Sequence, residues 1–85
     1  MNQQFHPSRL DSARSAILLR FRELNTAPNG LAKLSLFFEQ MGQYRNGYFA
    51  AAMQHLANEH CIETAMTGFL RLTLEGYKAA HEQQM

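Results

Sequence analysis

The sequence predicts an α+β domain, and three observations carry that prediction. Apolar residues recur at helical spacing in successive stretches as far as His60. Beyond it the hydrophobic period changes from about 3.6 to about 2, the alternation of a half-buried strand. A short helical run then closes the chain. Eighty-five residues leave room for one hydrophobic core, so all these elements are expected to share it.

The first stretch places Leu10, Ala13, Ile17, Phe21 and Leu24 on one helical face. Asp11 and Ser12 offer the short side-chain oxygens that cap a helix start, and Asn25-Thr26-Ala27-Pro28 stops the run. A helix is therefore predicted over residues 12–25, with residues 1–11 as a flexible leading segment. Asn29 suits the cap of a second helix, in which Leu31, Leu34, Phe37, Phe38 and Met41 form a wide apolar stripe. Gly42 suits the left-handed residue that commonly closes a helix.

Gln43-Tyr44-Arg45-Asn46-Gly47 reads as a polar turn. A third helix is predicted over residues 47–60, with Phe49, Ala52, Met53 and Leu56 facing inward. At about 100° per residue its opposite face carries Gly47, Tyr48, Ala51, Gln54, His55 and Asn58. That face is small and hydrogen-bonding, where a merely solvated one is richer in Lys and Glu. In Phe69–Leu74 the residues Leu70, Leu72 and Leu74 fall on one side and Phe69, Arg71 and Thr73 on the other. Cys61–Met66 is the expected partner strand, Thr67-Gly68 the hairpin turn, and residues 75–83 a closing helix presenting Tyr77 and Ala80. One domain over residues 12–83 accounts for the whole pattern.

Composition narrows the function. Hydrophobic content of 46% with 18% charged residues excludes a disordered polar tail. No apolar run approaches the roughly 18–20 residues of a membrane helix. The opening Met-Asn-Gln-Gln-Phe-His-Pro has neither the basic start nor the apolar core of a secretory signal, so a cytoplasmic protein without a membrane partner is expected. Cys61, the single cysteine, excludes an internal disulfide and a multi-thiolate metal site.

Charge sums to +3 over residues 1–45 and −2 over residues 46–85. One basic face is permitted, but the total is far below that of a strongly basic nucleic-acid binder. His6, His55, His60 and His81 are scattered, with no two at the i,i+4 spacing of a helical metal site. There is no Gly-rich phosphate loop, nucleophile elbow or pair of carboxylates on one face. No catalytic residue, metal or cofactor is expected, and the chain is read as a non-enzyme. His60, on the Phe49 side of the third helix, is expected to be a partly buried structural histidine, and Cys61 a small buried apolar residue.

The element order, together with two stretches of sequence, resembles a winged helix-turn-helix domain. Met53-Gln54-His55-Leu56-Ala57-Asn58-Glu59-His60-Cys61-Ile62-Glu63 looks like the end of a recognition helix running into a first wing strand, with His60 or Cys61 where a glycine is common. Arg71-Leu72-Thr73-Leu74-Glu75-Gly76-Tyr77-Lys78-Ala79-Ala80 is similar to the second wing strand and closing helix of small bacterial and phage winged-helix proteins. The resemblance implies a small DNA-binding transcriptional regulator that places the third helix in the major groove of double-stranded DNA. Arg45 and Asn46 at the helix entrance, with Gln54, His55 and Asn58 along it, would read base edges. Tyr44 and Tyr48 would reach phosphates, and Lys33, Arg14 and Arg71 would supply positive charge. It further implies a homodimer on two-fold half-sites.

The same residues leave other readings open. Arg14 and Lys33 also fit ordinary surface charges, and Arg71 also fits a cross-strand pair with Glu63. The rival function is a winged-helix module that binds another protein, as an inhibitor or adaptor. In that case Tyr44, Tyr48 and Phe69, exposed together, would form the contact patch.

Overall fold

The computed structural model describes residues 5–82, which form four helices and a small antiparallel sheet. Helix α1 spans Pro7–Glu23 and so begins before the Asp11-Ser12 cap expected for it. Pro7 stands at the first helical position, where a fixed φ suits the helix and a missing N–H costs nothing. Residues 7–11, expected to be a flexible lead, are therefore its opening turns. Ala13, Ile17, Leu18 and Phe21 form its buried face. The helix ends in a Schellman motif: Asn25 is left-handed (φ 55°), its N–H donates to the Arg22 carbonyl (3.0 Å), and that of Thr26 donates to Phe21 (3.1 Å).

The stretch expected as one helix from Asn29 to Gly42 takes three conformations instead. Leu31–Lys33 is strand β1, Leu34–Phe37 a 3-10 helix, and Phe38–Gln43 the short helix α2. Three residues per turn in the 3-10 segment rotate the stripe, so Phe37 is buried while Phe38, expected beside it in the core, is 69% exposed. Phe37 meets Phe21 edge-on, with ring centroids 5.0 Å apart. Gly42 lies inside α2 and does not close it in a left-handed conformation; the chain reverses through Asn46 (φ 61°) and Gly47 (φ 88°).

Helix α3 spans Tyr48–Asn58, shorter than the expected 47–60, and buries Phe49, Ala52 and Leu56. It ends in a second Schellman motif, with His60 left-handed (φ 63°) and N–H bonds from His60 to Ala57 (3.0 Å) and from Cys61 to Leu56 (2.8 Å). The reversal turns His60 out to solvent, against the half-buried position expected on a continuing helix. Strands β2 (Ile62–Thr64) and β3 (Phe69–Leu72) follow, each shorter than expected. Their turn is closed by the Phe69 N–H on the Met66 carbonyl (3.0 Å), with Gly68 at φ 84°.

The sheet order is β1-β3-β2, both pairings antiparallel, so β1 adds a third strand to the two expected. Ala32, Ile62, Leu70 and Leu72 point into the core, while Leu31, Lys33, Glu63, Phe69 and Arg71 alternate outward. Leu74, expected in the leucine row of the strand, opens helix α4 (Leu74–Glu82) and is 49% exposed. Thr73 ends the strand: its hydroxyl donates toward the His60 (2.5 Å) and Cys61 (3.0 Å) carbonyls and accepts the Gly76 N–H (3.0 Å). Gln83, the last residue of the expected closing helix, lies outside the described residues. The arrangement is compatible with a winged helix.

Candidate nucleic-acid interface

Helix α3 packs one face against α1 and the sheet and leaves much of the other exposed. Ala50, Gln54, His55, Ala57 and Asn58 are exposed on it. Gln54 Nε2 donates to Asn58 Oδ1 at 3.0 Å, one helical turn on, which orients the two amides relative to each other. Met53, flanking this row, lines a groove of about 540 Å³ with Leu34 and hairpin residues 64–70. The exposed face of α3 and the hairpin tip therefore share one continuous surface.

The entrance to α3 is held by residues far away in sequence. Arg45 is exposed and its Nε donates to the Gly42 carbonyl (3.0 Å), and Asn46 is exposed beside it. Tyr44 is only 7% exposed, packed into the core with the Arg9 guanidinium 4.8 Å above its ring. A phosphate contact by Tyr44 is thus replaced by a packing role. Arg9 also donates to the Gln43 carbonyl (2.6 Å). Tyr48 is half-buried, edge-on to Phe5 at 5.0 Å, with its hydroxyl accepting the His6 N–H (2.8 Å). No periodicity argument finds this clasp, because Phe5, His6 and Arg9 reach it from the other end of the chain.

The structure brings together Arg45, Asn46, Gln54, His55 and Asn58 along α3 and its entrance. It places Lys33 and Arg71 elsewhere, on the outer face of the sheet. Arg71 is half-buried there, opposite Leu31 on one side and Glu63 on the other. Arg14 is an anchor, pairing with Glu59 at the end of α3 and with Asp11 (3.6 Å). Ala50 and Ala57, absent from the residues expected at the site, join it because they lie exposed at i−4 and i+3 from Gln54, a spacing that the sequence already carries.

The expected aromatic patch does not form, because Tyr44 is buried and Tyr48 and Phe69 are half-covered. Its place is taken by Phe38 and by Met66 at the hairpin turn, the latter 60% exposed. Beside Phe38 runs a groove of about 510 Å³ lined by Leu34, Met41, Gly68 and Phe69. Cys61 is buried, and burial, reinforced by Glu59, pushes its thiol above the ordinary value, so it is a neutral packing group at physiological pH.

Among the described residues no three His, Cys, Asp or Glu side chains gather as a metal site, and no helix is long and apolar enough to cross a membrane. Compared with known proteins, the chain matches no family model, no curated protein and no solved structure.

Proposed function

We propose that the protein is a small non-enzymatic DNA-binding regulator of winged-helix type, which inserts α3 into the major groove and works as a homodimer. The observation carrying this reading is the exposed face of α3: a hydrogen-bonding row without Lys, Arg, Asp or Glu beside a β-hairpin, with Arg45 at its entrance. A helix of this size fits the major groove, where amide side chains have base-edge partners. Arg45, its Nε committed to the Gly42 carbonyl at 3.0 Å, is assigned in this reading to the phosphate backbone rather than to the base edges expected of it from sequence.

Fluorescence anisotropy with labelled mixed-sequence duplex tests the reading. Micromolar binding at low salt that weakens as salt rises is expected, and Arg45→Glu should weaken it by about tenfold. A folded protein with no affinity at low salt removes the reading.

One observation favours a second reading, in which the fold binds another protein. Phe38 and Met66 expose large apolar surface near the groove walled by Leu34, Met41 and Phe69. Under that reading Arg45→Glu leaves partner capture intact and Phe38→Ser abolishes it. Under the DNA reading Arg45→Glu weakens duplex binding by about tenfold and Phe38→Ser leaves it intact.

A further inference from the structure

Resting on the DNA-binding reading, we infer that Gln54 is an adenine reader held in position by Asn58, so that the protein selects A·T pairs through the major groove. Gln54 has two N–H donors and one carbonyl acceptor, and one donor is committed to Asn58 Oδ1 (3.0 Å). One donor and one acceptor remain. Adenine offers their complement in the major groove, N7 accepting and N6–H donating. Guanine offers N7 and O6, two acceptors, and Gln54 has only one donor left for them.

The surroundings agree with this choice. The exposed face of α3 carries no Lys or Arg, the residues that most often take guanine. Ala50 and Ala57, within a turn of Gln54, are exposed methyl groups of the kind that contact the thymine C5-methyl. Their small size also lets the helix backbone approach the base edges closely enough for a Gln side chain to reach. His55 lies about 100° around the helix from Gln54, at the margin of this row.

Three duplexes of about two helical turns test the inference: alternating A·T, alternating G·C, and the A·T duplex with 7-deazaadenine in place of adenine. The last removes N7 while leaving charge, pairing and the minor groove unchanged. The wild type should bind the A·T duplex about tenfold more tightly than either of the others. Gln54→Ala, an exposed helix substitution that leaves the melting temperature unchanged, should bind the A·T and 7-deazaadenine duplexes alike, keeping over G·C only the smaller margin of the thymine methyl contacts. Asn58→Ala should retain only part of the preference, since Gln54 loses its fixed orientation.

Micromolar binding of wild type with equal affinity for A·T and G·C overturns the inference and leaves the DNA reading standing. So does a full A·T preference that survives 7-deazaadenine, which places the reading in the thymine methyls, the minor groove or duplex shape. No binding to any duplex at low salt overturns both the inference and the reading beneath it.

Discussion

Gly76 is the residue most tightly committed by the fold. A Cβ there would sit 2.0 Å from the Cys61 carbonyl oxygen and 2.8 Å from its carbon, and both belong to backbone that cannot swing away. The same carbonyl receives the Thr73 N–H (3.1 Å) and hydroxyl, so moving it loosens the cap of α4 as well. Gly76→Ala is expected to cost about 3 kcal/mol, a large part of the stability of so small a domain. That lowers Tm by about 12 °C or more in a thermal melt followed by circular dichroism. A variant melting within a couple of degrees of the parent would contradict the close approach of α4 to residue 61. In sequence this glycine was visible only through the Glu-Gly-aromatic pattern, because close approach is a property of two segments and not of one. Tyr44 was misread for the same reason: its burial depends on Arg9 arriving from α1.

Among the elements, α1, α3 and the hairpin were legible because each is long or regular enough for its period to speak. Strand β1 was not. Its three residues include Ala32 and Lys33, indifferent strand formers, and it exists because β3 pairs with it and because Asn29 and Gly30 bond Leu72 at its head. The apolar spacing of Leu31, Leu34, Phe37 and Met41 satisfies a helix, yet strand, 3-10 turn and helix divide it. The exit of α3 shows how one residue governs an element. His60 occupies the left-handed position of the Schellman motif, at a conformational cost of about 1–2 kcal/mol for a residue with a Cβ. Its exposed side chain is not part of the core. His60→Gly is therefore expected to stabilise the domain by about 1 kcal/mol, raising Tm by about 5 °C. His60→Val, β-branched at positive φ, should lower it. A calorimetric scan in which glycine lowers Tm would mean that His60 makes a contact the motif does not require.

At the scale of the whole molecule, under the DNA-binding proposal, the arginines of α1 decide how strongly DNA would be held. Arg9 binds the Gln43 carbonyl and covers Tyr44, Arg14 pairs with Glu59, and Arg20 binds the Leu36 carbonyl (2.8 Å) and Glu23 (3.4 Å). These cations tie the N-terminal helix to three other elements, so the basic balance of residues 1–45 goes largely into the fold rather than into a DNA-facing patch. Arg45 at the α3 entrance, with Lys33 and Arg71 on the outer face of the sheet should that face also meet the backbone, are the cations proposed for phosphate contact. Three neutralised phosphates release about 0.9 counterions each, so the logarithm of affinity should fall with the logarithm of salt at a slope of about −3 per chain. Two copies on adjacent half-sites would give a slope of about −5. Arg45→Glu should flatten the slope by about one unit per copy, whereas Gln54→Ala should leave it unchanged, because a base-edge contact releases no phosphate counterion. The decisive measurement is the same titration at several salt concentrations on one duplex. A slope near zero with retained affinity would mean that binding does not run through the backbone, and the helix-in-groove arrangement would then give way to docking through the exposed Phe38 and Met66.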